Sequence, residues 1–390
     1  MRVYYYHPFE FHFRSAMTIQ AIHDYVHLAA HGYEVIFYGT YEDSMAFQEV
    51  REVIGAARVR LLVRRGKLCR WRGALKARLL WMFWRDPSPQ KLLVTRNFSK
   101  EAEVQRLLPL LGRGGRGCRT LMEIHEDGFP HLLPQKKGGD PAAIKVNHAR
   151  ILERCGGLVL TNYSQEGTLC TEFPRHPGYV VLPNGVDPER FASARAPEVK
   201  AEGPFVVTYT GQFVAWKNVE LLFRSLALLD SRFHLRIAGG KGDAASDGYV
   251  AELTARYGLE GRVDYRGFVS PRRLVAEVLD GSSVLALPLG ENLRSRLFTS
   301  PMKLFEAMAT AIPVVAVDFP TVRGITGEDT VFLAAATDEG FARAIGAAVF
   351  SPERGERVAR MNLLVRRYAH RERARRFHEW LVESGGCLHS

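Results

Sequence analysis

The sequence predicts an α/β protein with two doubly wound, Rossmann-like domains. Short apolar runs that end at polar residues alternate with helix-length segments along the chain, as in parallel sheets joined through helices. A turn-rich, weakly apolar segment at 187–204 interrupts this alternation once, after which it restarts. The length of 390 residues is sufficient for two or three domains. No segment repeats at a fixed period, which argues against a repeat protein.

The predicted elements follow from apolar periodicity and from breaker residues. The first unit is predicted to contain the strand Arg2–Tyr6, the helix Ala16–His31 ending at Gly32, and the strands Glu34–Tyr38, Leu92–Arg96, Leu121–His125, Leu158–Thr161 and Val180–Leu182. The second is predicted to contain the strands Phe205–Thr210, Phe233–Ala238, Arg262–Tyr265, Val284–Ala286 and Pro313–Ala316. Ligands of open parallel sheets bind beyond the carboxyl ends of strands, so polar residues there are the first candidates for a site.

Composition indicates a globular protein of a reducing compartment. The chain is 46% hydrophobic and 24% charged, which is typical of a folded domain rather than a disordered one. Five cysteines show neither a CxxC pair nor metal-ligand spacing, so we expect reduced thiols. The first residues lead into a strand rather than a secretory signal, and the apolar run 79–84 is too short to cross a bilayer. These features predict a cytoplasmic protein.

Positive charge is concentrated in one segment of the first half. Of the net charge of +11, residues 1–190 contribute +8, and residues 51–85 contain eleven basic residues, one acid and three tryptophans. This mixture suits an anionic membrane surface, where each cation contributes about 1 kcal/mol, and would place the protein peripherally on the inner face of the membrane. The alternative is a helix of the first domain that packs its tryptophans inward. Nucleic acid is not expected, since no helix-turn-helix, zinc-finger or RNP-like pattern accompanies the charge.

The stretch 299–316 is the most informative about function. Ser300 is a good N-cap and Pro301 suits the first helical position, so a helix with an anion-binding start is predicted there. Glu306 lies six residues further along this helix, and a carboxylate can accept hydrogen bonds from both hydroxyls of a ribose. The pattern favours a nucleotide, although an ordinary capped helix with Glu306 in solvent has the same local features.

These residues resemble the donor-site motif of retaining glycosyltransferases of family GT4, in the variant that reads Ser-Pro-Leu-Lys-Leu-Phe-Glu followed by Pro-Val-Val-Ala. Further stretches resemble the family in the right order. They are Val181–Phe191 (interdomain segment), Tyr209–Asn218 (first strand and phosphate loop of the C-terminal domain), Val263–Val269 (border of the base pocket) and Arg366–Ala374 (final helices).

The resemblance implies the GT-B fold, in which two Rossmann-like domains face each other across a cleft and a C-terminal helix crosses back. Residues 1–190 would form the acceptor-binding domain, 191–365 the nucleotide-sugar-binding domain and 366–390 the returning helix. The implied reaction is metal-independent transfer with retention, from a UDP- or GDP-sugar to a glycan, lipid-linked or envelope-polysaccharide acceptor. No cofactor is implied, because the nucleotide sugar is a substrate.

The resemblance also implies roles for individual residues. Those implied in catalysis are His125, Lys217 and Glu306. Those implied in donor binding are Gly211, Gln212, Lys217, Phe268, Arg294, Arg296, Thr299, Ser300, Pro301, Met302, Lys303 and Glu306. Those implied in acceptor binding are Arg14, Ser15, Arg96, His125, Glu126 and Asp127.

Two positions depart from the family pattern. The family usually has an arginine directly after the glycine of its phosphate loop, whereas this chain has Gln212, and Arg294 or Arg296 would then supply the missing cation. Phe298 stands where the family has the first acid of its Glu-x7-Glu motif, so contacts to the transferred sugar are expected to differ.

Two functions of other classes remain alternatives at this level. One is a nucleotide-sugar epimerase of GT-B architecture, which would turn over its donor without an acceptor. The other is a non-catalytic basic protein that binds membranes or polyanions, whose role would survive alanine at Lys217 and Glu306.

Overall fold

The chain folds into two compact units. The computed structural model describes residues 1–10, 16–41, 59–65, 81–110, 117–125, 128–133 and 139–384. One unit consists of Met1–Gly185 together with His370–Ser390, and the other of Val186–Ala369. The chain therefore leaves the first unit once and comes back to it at its end.

The first unit is built on a parallel sheet of seven described strands. In chain order they are β1 (Arg2–Glu10), β2 (Glu34–Tyr41), β3 (Val59–Arg65), β4 (Lys91–Thr95), β5 (Cys118–Ile124), β6 (Leu158–Leu160) and β7 (Tyr179–Val181). Their order in the sheet is β3-β2-β1-β4-β5-β6-β7, with parallel pairing throughout. Sequence and spatial order reverse between β1 and β4, which is the switch point where such sheets bind ligands.

The second unit repeats this plan with six described strands. They are β8 (Phe205–Gly211), β9 (Phe233–Gly239), β10 (Val263–Tyr265), β11 (Val284–Leu287), β12 (Val314–Val317) and β13 (Phe332–Ala334). The order is β10-β9-β8-β11-β12-β13, again parallel, so the switch point lies between β8 and β11. The predicted pair of doubly wound sheets is thus confirmed, and β13 is an additional strand that the sequence pattern did not reveal.

Helices connect these strands. The described α-helices are Ala16–Val26, Phe98–Leu107, Pro141–Leu152, Ser164–Glu172, Glu220–Ala227, Ala244–Arg256, Met302–Met308, Pro320–Arg323, Asp338–Phe350, Arg354–Val365 and His370–Ser384. Several begin at a side chain that accepts from a backbone N–H of the first turn, as at Asn97, Asp140, Asp243 and Thr337.

The segment 51–85, for which a helix of the first domain was one alternative, contains a strand and the end of a helix. Residues 81–85 are helical, as that alternative expected for the end of the segment. Residues 59–65 form β3, which pairs with β2 over seven residues from Val59 to Arg65. Valine and leucine favour extended backbone, and β3 is the edge strand of the described sheet. Residues 51–58 and 66–80 lie outside the described part of the chain.

Two predicted helices also have different bounds. The helix predicted as Ala16–His31 changes to a 3₁₀ turn at His27–His31, before Gly32 with φ of +85°. The helix predicted to begin at Pro301 instead begins at Met302. Pro301 has ψ of 101° and is the N-cap itself, because this ψ is extended and not helical.

The last described helix, His370–Ser384, is called the returning helix here. It packs into the core of the first unit through Ala374, Phe377 and Leu381, whose exposed fractions are 0, 0 and 7%. These residues recur at the spacing of one helical face, so burial of this apolar stripe holds the helix on the first unit. The return of the chain implied by the resemblance is therefore observed.

Candidate functional site

Two adjacent strands of the second sheet, β8 and β9, end in glycines that lie side by side. Gly211 at the end of β8 is in register with Gly239 at the end of β9. The Gly240 N–H donates to the Gly211 carbonyl at 3.1 Å. A Cβ on Gly239 would lie 1.8 Å from the Gly211 oxygen, and φ is +146° there, so only glycine fits. Glycines at such strand ends expose backbone to which a ligand can approach closely.

Lys217 belongs to the loop that follows β8. It ends a 3₁₀ turn, Ala215–Lys217, and Asn218 leaves this turn with φ of +47°. The loop brings the ammonium back toward the strand end, because a Cβ on Gly211 would lie 3.5 Å from the Lys217 Nζ. The same Nζ lies 5.4 Å from the centroid of the Trp216 ring. A cation therefore stands at the carboxyl end of β8.

The Trp216 carbonyl joins the two loops of the switch point. It accepts from the Gly290 N–H at 2.8 Å and from the Ser295 hydroxyl at 3.0 Å, both of which follow β11. The Thr321 hydroxyl in turn donates to the Ser295 carbonyl at 2.6 Å. These bonds hold the Lys217 loop against the segment that carries Arg294 and Arg296. Sequence reasoning missed this role of Trp216, since a backbone carbonyl has no signature in the sequence.

Arg294 and Arg296 lie on a π-helical segment, Arg294–Phe298, directly before the 302–308 helix. Arg296 pairs with Glu291 at 2.5 Å and stacks on Phe319 at 5.2 Å from the ring centroid, whereas Arg294 is half-buried. Phe298, which replaces the family's first acid, is fully buried. A phenylalanine at this position therefore serves the core.

Glu306 lies in the helix Met302–Met308, where its carboxylate accepts from the Lys303 ammonium at 2.7 Å. Its side chain is 19% exposed and that of Lys303 is 34% exposed. The Glu306 side chain is thus partly buried. The alternative of an ordinary helix with Glu306 in solvent would require a fully exposed side chain. The carboxylate retains acceptor capacity beyond this one bond.

The other candidate donor residues occupy the same unit. Gln212 is exposed, and its carbonyl accepts from the Tyr209 hydroxyl at 3.0 Å. Phe268, which follows β10, is 48% exposed. The residues at the helix start are partly or fully buried, namely Thr299, Ser300, Pro301 and Met302.

In the first unit, Arg96 follows β4 and His125 follows β5, and the fold brings their side chains together. Arg96 Nη2 lies 3.3 Å from His125 Nδ1 and donates to Gln20 at 2.8 Å, while Arg96 Nη1 donates to the Tyr5 hydroxyl at 3.3 Å. Arg96 is 7% exposed and His125 is 9% exposed. The guanidinium of Arg96, which was expected to face the cleft, is therefore buried and already donates hydrogen bonds to neighbouring side chains.

Glu123 on β5 lies behind His125, with its Oε2 at 3.3 Å from His125 Nε2. It is 2% exposed and accepts from the hydroxyls of Tyr5 at 3.0 Å and Tyr25 at 2.8 Å. Arg373 of the returning helix donates to it at 3.3 Å. Sequence reasoning missed Glu123, although a lone acid between the apolar residues of a buried strand was a usable signal.

The pKa of Glu123 reflects opposing effects. Burial raises the pKa of this carboxyl, but the hydrogen bond and the electrostatic interaction with His125, together with the positive charges of Arg373 and Arg96, lower it well below its usual range. Burial and the negative charge of Glu123 raise the pKa of both the Tyr5 and the Tyr25 phenols. Glu123 is therefore a permanently charged acceptor at neutral pH.

Four candidates lie outside the described residues, namely Arg14, Ser15, Glu126 and Asp127. Only the end of the basic segment has described side chains. Trp81 and Trp84 are 50% and 67% exposed, Phe83 is buried, and Arg85 stacks over Trp81 at 4.9 Å from the ring centroid.

None of the helices that the structure describes has both the length and the apolar composition needed to cross a bilayer. Within the same ranges, no group of three or more histidine, cysteine, aspartate or glutamate side chains is arranged to hold a metal ion.

Comparison with known structures gives the same fold. Sucrose-phosphate synthase from Thermosynechococcus elongatus superposes with a TM-score of 0.74 at 16% identity, covering 99% of both chains. HepE from Anabaena, solved in complex with UDP, gives 0.73 at 13% identity over 98% of this chain and all of that one. The lipopolysaccharide outer core galactosyltransferase WaaB gives 0.69 at 16% identity, with the same coverage.

Sequence comparison identifies the second unit. Residues 204–349 match the family model described as glycosyl transferases group 1, and this range contains the glycine pair, Lys217 and Glu306. No curated protein matches the chain significantly. By the match of residues 204–349, the second unit is a group 1 glycosyltransferase domain, and the two units have the fold of the GT-B glycosyltransferases that they superpose on.

Proposed function

We propose that this glycosyltransferase moves a sugar from a UDP- or GDP-sugar to a glycan, lipid-linked or envelope-polysaccharide acceptor, with retention and without a metal ion. The observation that carries the proposal is the switch point of the second sheet. There the Lys217 ammonium lies beside the half-buried glycine at the end of β8, and hydrogen bonds tie its loop to the segment before the 302–308 helix. A diphosphate is the anion that suits this site.

The relatives support a nucleotide-sugar donor. Structures of HepE from Anabaena contain UDP, UDP with glucose, and UDP-glucose, and that protein shares the fold at 13–14% identity. In this chain the ribose hydroxyls would donate to Glu306, which keeps Lys303 as its counterion at 2.7 Å. The base would lie near Phe268. The diphosphate would meet Lys217, Arg294 or Arg296, the hydroxyls of Thr299 and Ser300, and the backbone at 301–303.

Group transfer then requires little covalent chemistry from the protein. The bond between the anomeric carbon and the leaving phosphate oxygen breaks as the acceptor oxygen bonds to the same carbon from the same face. The acceptor hydroxyl proton passes to the leaving phosphate oxygen, so the charges balance. Lys217 stabilises the negative charge that develops on the diphosphate, as preorganised cations generally do. His125 would position the sugar, while Arg96, Arg14, Ser15, Glu126 and Asp127 are proposed on the acceptor side.

Donor identity is tested by calorimetric titration with UDP, GDP and their glucose and mannose derivatives, in buffer with and without EDTA. We expect one nucleoside diphosphate to bind without any effect of EDTA. Turnover is then followed with the donor alone and with candidate acceptors. Conversion of the donor into an isomeric nucleotide sugar without acceptor would indicate an epimerase instead, and loss of activity on chelation would contradict the metal-independent mechanism.

We also propose that residues 51–85 dock the enzyme on an anionic membrane, at the cytoplasmic leaflet. Eleven cations in this segment and the exposed Trp81 and Trp84 support this, because tryptophan and basic residues together favour the membrane interface. Sedimentation with anionic and neutral vesicles tests it, using wild type and a variant with Arg70, Arg72, Lys76 and Arg78 changed to serine. Binding should be anionic-specific, weaker in the variant and lost at high salt. Equal behaviour of both proteins on both vesicles would overturn it.

A further inference from the structure

The hydrogen bonds around His125 determine which ring nitrogen carries the proton. A guanidinium can only donate, so the His125 Nδ1 that faces Arg96 Nη2 at 3.3 Å has to present its lone pair. The proton of the neutral ring then lies on Nε2, which faces the Glu123 carboxylate at 3.3 Å. A carboxylate can only accept, so the two contacts require the same tautomer.

Glu123 is itself held in place from three elements. Tyr5 of β1 and Tyr25 of the Ala16–Val26 helix donate to it, and Arg373 of the returning helix donates from the opposite end of the sequence. Arg373 also lies 3.5 Å from Asp24, which pairs with His370 at 3.0 Å. The carboxylate cannot turn away from His125 without breaking these bonds, so its direction is determined by folding.

We propose that Glu123 is a positioning residue for sugar transfer, which fixes His125 as the Nε2–H tautomer and leaves Nδ1 as an acceptor for a substrate hydroxyl. The inference rests on the proposed function in one respect, namely that His125 meets the sugar. In the substrate complex, a substrate hydroxyl would donate to His125 Nδ1 in place of Arg96 Nη2, whose contact with Nδ1 is long at 3.3 Å. Arg96, held by Gln20 and Tyr5, would stay beside it.

The chain offers a matched control for this pair. His131 Nε2 lies 3.1 Å from Glu172 Oε2 in the same unit, with side-chain exposures of 4% and 20%. Glu172→Gln removes a carboxylate from a histidine without touching the candidate site. A comparison of Glu123→Gln with Glu172→Gln therefore separates the effect on His125 from the general effect of losing a His–Glu pair.

The first test is NMR of the imidazole nitrogens in the full-length protein without substrate, with the His125 signals assigned by their loss in His125→Gln. We expect a neutral ring with the proton on Nε2 in wild type and in Glu172→Gln, and a mixture of tautomers in Glu123→Gln. A wild-type ring that is protonated on Nδ1, or on both nitrogens at neutral pH, would overturn the proposal, even if Glu123→Gln failed to fold.

The second test is steady-state kinetics with the donor found by titration. Glu123→Gln should lower kcat about tenfold to a hundredfold, as loss of orientation commonly does, while affinity for the nucleoside diphosphate stays within about twofold. Glu123→Asp should restore part of the rate, and Glu172→Gln should retain it. Unchanged kcat in Glu123→Gln would overturn the inference. An inactive wild type would instead refute the proposed function. The NMR test needs no substrate, so it would still decide whether Glu123 fixes the tautomer of His125.

Discussion

Both units carry candidate polar side chains in the loops and helices that follow their strands, but the surroundings of these side chains differ. In the first, Arg96 and His125 are at most 9% exposed and are bonded to Tyr5, Gln20 and Glu123. In the second, Lys217 and Glu306 are partly accessible, and Glu306 bonds to a lysine one turn away on its own helix. The charged groups of the first unit are therefore bonded to one another by folding, whereas those of the second unit remain partly accessible to a ligand.

The largest expected effect is on the stability of the first unit. Arg373→Met keeps most of the side-chain volume but leaves Glu123 and Asp24, which are 2% and 1% exposed, without their guanidinium. Removing one partner of a buried ion pair typically costs about 3–5 kcal/mol, so we expect a large loss of urea stability. Arg375→Met on the same helix breaks only the exposed pairs with Glu372 and Glu379 and should cost less than about 1 kcal/mol. Equal losses would show that the buried charges around Glu123 contribute no more to stability than the exposed pairs do.

For Lys217 in the second unit we expect a large loss of activity with little loss of stability. Lys217→Ala should lower turnover on the order of a hundredfold or more, because a developing charge on the diphosphate loses its cation. The melting temperature should hardly change, since a partly exposed loop lysine packs little. Lys200→Ala, an exposed lysine before the start of β8, is the matched control and should retain activity. An unstable but active Lys217→Ala variant would contradict this prediction, because it would show that Lys217 serves the fold and not the reaction.

A somewhat smaller effect is expected for nucleotide binding at Glu306. Glu306→Ala removes the charged acceptor of the ribose hydroxyls, worth roughly 1.5–3 kcal/mol, or about 10- to 150-fold in Kd. Titration with the nucleoside diphosphate measures it. Glu356→Ala, which removes another helical carboxylate paired on its own helix, with Arg360 at 3.5 Å, should bind as wild type does. Undiminished affinity in the Glu306 variant would contradict the ribose assignment.

The smallest effect is a pH dependence of stability that originates in the first unit. His148 stacks on Phe98 at 3.8 Å, and burial together with the charge of His131 lowers its pKa from 6.5 to about 4. Between these values the unfolded chain binds the proton and the folded chain does not, so stability falls as pH drops from 6.5 to 4, by at most about 1.4 kcal/mol per pH unit. Urea titrations at pH 7 and 5 should show a smaller difference in His148→Gln than in wild type. His234→Gln, at the one histidine of residues 186–369, should leave the difference unchanged.

Strand positions were largely predictable, because apolar runs that stop at polar residues are a local signal. β1, β4, β5 and β8 were all recognised in this way, with ends that shift by a few residues. β3 was not predicted, since its valines and leucines are interleaved with arginines and give no clear apolar run, and pairing with β2 decided its structure. The start of the 302–308 helix shifted by one residue, because the backbone at Pro301 is extended.

The sequence by itself determined that this protein consists of two α/β units and that its second unit resembles the donor domain of GT4 enzymes. Motifs such as Gly211 with Lys217, and Ser300 with Glu306, are contiguous, so their spacing is readable without a structure. Only the tertiary structure decided the surroundings of His125. Glu123, Tyr25 and Arg373 are separated from one another by about 100 residues or more and meet only after parallel pairing and the return of the last helix. A buried charge depends on all of its neighbours, and contacts of such separation have no local signature.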